Sequence, residues 1–244
     1  NLTTRGNFVW ENGIRDTRVI FEPNQNGNFL VCNLIKDGTD NKIIRRGETF
    51  QPNNSLKFVM GVDPFDHNIT EDGRKSNGAG VVLRKFDAAA KEDDIYNYAF
   101  WAAYVARPDS APDFYEDMLM MAVYFGCFVL FENQKVNMMH YFNDRGYGDF
   151  LMWLPDRLQP GIASSPKSIQ QIAELTEAYI NGYINRVFFI NLIQDWLEFR
   201  IDNTTKFDIA MAVGYCLIAD QAKVVRADKK EIRDVSEYFK KSKL

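Results

Sequence analysis

From residue 56 onward, apolar and polar positions change period several times, and each change marks an element. Leu56–Val62 is almost wholly apolar, the pattern of a buried strand. "GAGVVLRKFD" (78–87) and "IYNYAFWAAYVAR" (95–107) read as a second and third strand. A polar, glycine-containing loop (68–77) and a short link join the three, which predicts an antiparallel meander. "SAPDFYEDMLMMAVYFG" (110–126) then switches to helical spacing, with Ser110 as N-cap, a proline and acids in the first turn, and Gly126 as the stop. "CFVLFE" (127–132) is a fourth strand that stays apolar until Glu132. Residues 133–142 read as a helix, and "GDFLMWLP" (148–155) as a fifth strand. A helix follows from Pro166 to about Asn185, carrying Ile169, Ile172, Ala173, Leu175, Ile180 and Ile184 on a helical period, and another near Phe188–Phe199. A polar break, "RIDNTTK", leads into "FDIAMAVGYCLIADQAKVV", a helix with Asp208 in its first turn. Residues 1–55 differ: short alternating segments split by Asn-Gly turns predict a small β-rich module.

The strand at Leu56–Val62 raises a chemical question, because Asp63 and Asp66 arrive where its apolar run ends. A buried carboxylate is costly unless compensated, and a divalent metal is one compensator. The competing reading is a turn, Asp63-Pro64-Phe65-Asp66, built from ordinary turn residues. The element order bears on the choice. A helix between the third and fourth strands forces the fourth to pair in parallel somewhere in the sheet. If it lies beside the first strand, Asp63 and Glu132 become neighbours, and an Asp in the first turn of a late helix can complete a three-carboxylate cluster. Such donors suit Mg²⁺ and Mn²⁺, two of which can serve the attacking and leaving oxygens of a phosphodiester.

Composition mainly excludes. A chain of 244 residues, 46% hydrophobic and 25% charged, has ample core for one large domain or one with a small appendage. No apolar run approaches the ~20 residues of a membrane helix, and no secretory or twin-arginine signal is visible. Cys32, Cys127 and Cys216 stand far apart among apolar neighbours, which fits buried cytosolic thiols rather than a zinc site. With only His67 and His140, both read as structural, histidine-based metal chemistry is disfavoured. A net charge of −4 does not advertise a nucleic-acid binder, so any affinity for phosphate must come from local cations.

Taken in order, "FVMGVDPFDHN", "GAGVVLRKFD", "VLFENQK", "GIASSPKSIQQIAELTEAYI" and "TTKFDIAMAVGYCLIA" resemble the nuclease domain of the large terminase subunit of tailed bacteriophages. The resemblance covers roughly residues 56–222. It implies a ribonuclease-H-like α/β fold, a mixed central sheet flanked by helices, for residues 56–244, with 1–55 as a β-rich interdomain extension. It further implies a two-metal endonuclease that uses Mg²⁺ or Mn²⁺ and cuts concatemeric double-stranded DNA during genome packaging in the host cytoplasm. The family's acids fall on Asp63, Glu132 and Asp208, which become the catalytic and metal-ligating candidates, with Asp66 and Asp202 as supplementary ligands. Its Gly-x-x-Thr-Thr-x-x-Lys segment is matched with serines, making Ser164, Ser165 and Lys167 candidates beside the site; Arg74, Lys75 and Lys135 join them as phosphate contacts. The implied partners are double-stranded DNA, the terminase ATPase domain, the small terminase subunit and the portal, with no membrane. The chain departs from complete large terminases in having no G-x-x-x-x-G-K-[ST], so no nucleotide site is expected. Together with Asn1 at the start, this suggests an excised nuclease domain. Two other classes remain open. A junction resolvase or transposase would use the same acids on other DNA shapes with stronger basic character. A non-catalytic packaging or docking module would not need the acids.

Overall fold

The computed structural model describes residues 2–36, 43–65, 78–106, 109–202, 204 and 207–222. Asp66, His67, Arg74 and Lys75 lie outside the described residues. The strands are β1 (Thr4–Trp10), β2 (Val19–Pro23), β3 (Phe29–Val31), β4 (Ile44–Arg46), β5 (Thr49–Gln51), β6 (Phe58–Asp63), β7 (Ala79–Arg84), β8 (Phe100–Tyr104) and β9 (Phe128–Phe131). The helices are α1 (Ala111–Phe125), α2 (Asn137–Asp144), α3 (Pro166–Tyr183), α4 (Ile190–Glu198) and α5 (Asp208–Gln221). Seven strands form one sheet in the order β2-β1-β3-β8-β7-β6-β9, and β4 pairs with β5 in a separate ribbon. Every contact in the large sheet is antiparallel except β6 with β9. The meander β6-β7-β8, the crossover through α1 and the parallel return beside the first meander strand are the expected ribonuclease-H-like arrangement.

Helix α1 begins and ends where its sequence says. Ser110 accepts a hydrogen bond from the Asp113 amide, a proline sits in the first turn, and Gly126 closes the helix in a left-handed cap. Residues 4–31 supply three strands of the main sheet: β3 pairs with β8, and β1 and β2 continue the sheet outward. Their aromatics join the core on the α1 side, where Phe8 packs against Phe29, Tyr124 and Phe125. Trp10 Nε1 donates to Glu116 Oε1 at 2.8 Å and Asn28 Nδ2 to Asp117 Oδ2 at 2.8 Å, tying these strands to α1.

One expected element is replaced. In place of a strand over 148–155, the chain makes a 3₁₀ turn (Gly148–Phe150) and touches β9 through two single parallel bridges, Val129 with Leu151 and Glu132 with Ile162. The intervening residues hold Pro155 and Pro160, which lack the N–H a ladder needs. The chain rejoins β9 at Gly161, whose φ of +82° and close approach to the Phe131 carbonyl both exclude a side chain.

The two faces of the sheet are read off β6. Phe58, Met60 and Val62 enter the core shared with α1, while Val59 enters the core shared with α3 and α5. Gly61 follows Val59 on that second face. A Cβ there would stand 2.0 Å from the Ala212 carbonyl oxygen and 2.4 Å from the Cys216 nitrogen, so α5 lies directly on the bare backbone of β6. Because the obstacles are backbone atoms, they cannot swing aside. Gly61→Ala is expected to cost stability by about 1–3 kcal/mol, the usual range for overpacking a filled interior, measured by urea denaturation. An unchanged midpoint would show that α5 yields freely.

Candidate active site at the end of the central strands

Period two carries the acids to one face. Asp63 follows Val59 and Gly61 on the α5 side of β6, and Glu132 follows Leu130 on the α5 side of β9. The parallel register pairs Val62 with Phe131, and the Glu132 amide donates to the Val62 carbonyl at 3.3 Å. The next residues along, Asp63 and Glu132, are therefore neighbours at the end of the sheet.

Helix α5 brings the third acid by matching steps. Cys216 Sγ donates to the Val59 carbonyl at 3.3 Å, and Ala212 lies against Gly61. Two strand residues advance about 6.6 Å and four helix residues about 6 Å. The same step that takes β6 from Gly61 to Asp63 takes α5 from Ala212 to Asp208. Asp208 occupies the first helical position, and its charge acts on Asp63.

A cation joins the first two acids. Lys135 Nζ lies 2.7 Å from Asp63 Oδ1 and 2.9 Å from Glu132 Oε2. Burial raises the Asp63 carboxyl to about 7; Lys135 opposes the rise, and Asp208 and Glu132 add to it. Burial works against the Lys135 ammonium, but Asp63 and Glu132 outweigh it and raise its pKa. As placed, no three Asp, Glu, His or Cys side chains among the described residues converge tightly enough to cage a metal. The donor chemistry suits a hard divalent cation: the side chains are carboxylates, and a cationic ammonium lies between two of them. Asp63 and Glu132 are the two carboxylates that share this ammonium, and the charge of Asp208 acts on Asp63 from the start of α5.

The remaining candidates divide. The Gly161–Ser165 segment runs beside the end of β9: Ile162 bridges Glu132, and the Ser164 amide donates to Gln134 Oε1 at 3.1 Å. Ser165 is the N-cap of α3 in a reciprocal box with Ser168, a structural task. Lys167 is exposed in the first turn of α3. Asp202 lies on the surface in a two-point pair with Arg200, at 3.1 and 2.9 Å. His140 is exposed on α2.

Three further residues escaped the sequence reading. Asp195 of α4 accepts from the Ala210 amide at 2.8 Å, capping α5 from outside, since Phe207 offers no side-chain cap. Tyr215 is buried two turns below Asp208 on the same face; burial raises its phenol pKa, and Asp63 and Glu132 raise it further. Arg5 of β1 lines an open cavity of ≈590 Å³ together with Gly78, Tyr104, Asp195 and Asp208. Of these, only Tyr215 had a sequence signal, its spacing of seven from Asp208.

No protein-family model and no curated relative matches the chain. Among solved structures, the large terminase nuclease from thermophilic phage G20c with bound zinc is 12% identical at a TM-score of 0.46, over 74% of this chain and 92% of that one. A second structure of that nuclease gives 11% and 0.45 over the same shares.

Two outcomes are expected of this geometry. Asp195→Ala should lose a helix cap, about 0.5–2 kcal/mol by denaturation, whereas Asp195→Asn keeps an acceptor and most of that stability. The raised Asp63 pKa gives the second. The folded chain retains this proton between about 4 and 7, where the unfolded chain has lost it, so the group's contribution is full below about 4 and disappears as pH climbs through about 7. In EDTA the wild type should lose stability between roughly pH 4 and 7, and Asp63→Asn should show a flatter curve.

Proposed function

We propose that this chain is a divalent-metal-dependent endonuclease acting on double-stranded DNA, the nuclease part of a large terminase subunit. The observation that supports this most is the placing of Asp63 beside Glu132 at the ends of the parallel strands β6 and β9, with the charge of Asp208 acting on Asp63 from the start of α5. A cluster of three acids has no packing purpose there, and the ordered motifs around it resemble that family. On this reading residues 1–55 are an extension and 56–244 the nuclease domain, working in the host cytoplasm with the terminase ATPase domain, the small subunit and the portal.

Asp63 and Glu132 hold the cation from the sheet and Asp208 from the helix start. A bound pair of Mg²⁺ or Mn²⁺ ions supplies an activated water and neutralises charge on the phosphodiester. Asp195 keeps the first turn of α5 in place, and so the Asp208 carboxylate. Arg5, which shares a cavity with Asp208, offers a cation to the DNA backbone, and Lys167 offers another from the first turn of α3. Phosphate contacts position without reading sequence, so base preference is weak.

Plasmid and linear double-stranded DNA are expected to be cut with Mg²⁺ or Mn²⁺ and without ATP. Asp63→Asn, Glu132→Gln and Asp208→Asn should each reduce cutting by more than the roughly 10–100-fold cost of losing an outer hydrogen bond to a metal ligand. Undiminished cutting in EDTA, or a strict need for ATP, contradicts the assignment. A folded chain that cuts no DNA with either metal is instead a docking module.

A further inference from the structure

The ammonium of Lys135 occupies the space between two carboxylates that a divalent cation has to enter. It stands 2.7 Å from Asp63 Oδ1 and 2.9 Å from Glu132 Oε2, and these are the only ion pairs recorded for either acid among the described residues. Lys135 follows Glu132 by three residues, so the turn after β9 delivers it locally. Its side chain is 32% exposed while those of Asp63 and Glu132 are 8% and 13% exposed. The acids are fixed in the sheet, and the lysine reaches them from the solvent side on a flexible stem.

We propose that Lys135 is a placeholder cation. It holds Asp63 and Glu132 together in the metal-free protein and competes with the metal for them, so the metal binds by displacing it. The proposal rests on the metal-dependent reading above. Adjacent buried carboxylates repel unless a cation stands between them. One ammonium neutralises one of the two charges, whereas a divalent ion neutralises both, so the exchange is favourable when metal is present. A lysine suits such a role because its compact charge rides on a rotatable four-carbon stem, unlike the planar fork of arginine. The competition lowers apparent metal affinity by the fraction of molecules whose lysine has swung away. It also accounts for three acids that lie near one another without closing into a cage.

The test is calorimetric titration of Mn²⁺ into the EDTA-stripped full chain, for wild type, Lys135→Met and Lys135→Gln. Methionine keeps the apolar stem, and glutamine keeps a donor should the first variant fail to fold. Both variants are expected to bind Mn²⁺ tighter by at least about tenfold, the low end of coupling measured for close charge pairs. Both should also melt lower than wild type in EDTA and gain more from added Mn²⁺. Equal or weaker Mn²⁺ binding by the variants, with a wild type that binds metal and cuts DNA, overturns the placeholder role and leaves the nuclease assignment standing. A wild type that neither binds Mn²⁺ nor cuts DNA overturns both.

Discussion

The seating of α5 on β6 is the contact on which the site depends. A helix resting on a sheet is normally held off by the side chains between them, at about 10 Å from axis to mean plane by analogy with stacked layers. Here Gly61 removes the intervening side chain, and the Ala212 carbonyl and Cys216 amide come against the strand backbone. The Cys216 thiol adds a hydrogen bond to the Val59 carbonyl. With helix and strand in this register, their nearly equal advances per two and per four residues carry Asp208 to the level of Asp63. A shift of one helical residue would rotate Asp208 by about 100° and remove it from the sheet face. Gly214, on the far side of α5, lets Ile172 of α3 press against the helix from behind. Together these contacts clamp α5 between β6 and α3.

That geometry creates an electrostatic cost, and the charge arrangement follows from it. Asp63 is 6% exposed and feels two further carboxylates. Leaving it ionised without compensation would oppose folding, since a buried charge is tolerated only when paired. Lys135 supplies the pairing from the turn after β9, with its ammonium between Asp63 and Glu132. The start of α5 has its own compensation. Its amide dipoles favour negative charge, and Asp195 meets the Ala210 amide directly while Asp208 lies within the first turn.

Much of this was legible in the sequence. The meander, the α1 crossover and the parallel return were readable from apolar runs and capping residues, and the acids at the ends of β6, β9 and the start of α5 from where those runs stop. What was not legible is of two kinds. Leu151 and Ile162 are apolar residues flanking a proline-bearing loop, and local pattern cannot distinguish two single bridges from one strand. Asp195 and Arg5 act across the fold: each is an unremarkable charge in a linear reading and gains meaning only from what packs beside it. Lys135 was marked in the sequence, and only its partners, Asp63 and Glu132, were added by the fold. The role assigned to Ser165 shows the converse, because resemblance drew attention to a residue whose hydroxyl is engaged in capping α3.

The first three strands complete the picture from the opposite edge of the sheet. Without them β8 would expose a row of unpaired amides and carbonyls, an edge open to association with other chains. Strand β3 covers that edge, and β1 and β2 extend the sheet beyond it. The extension also alters the charge around the acids. At −4 the chain as a whole repels a polyanion, and an uncompensated acidic cluster at its surface would repel it more strongly. Arg5 enters the cavity that contains Asp208 and Asp195, with Nε bound to the Gly27 carbonyl at 2.7 Å, so its guanidinium is anchored by the backbone of the same extension. Edge protection and a cation near the acids thus come from one segment, which gives the sheet a reason to continue past β8.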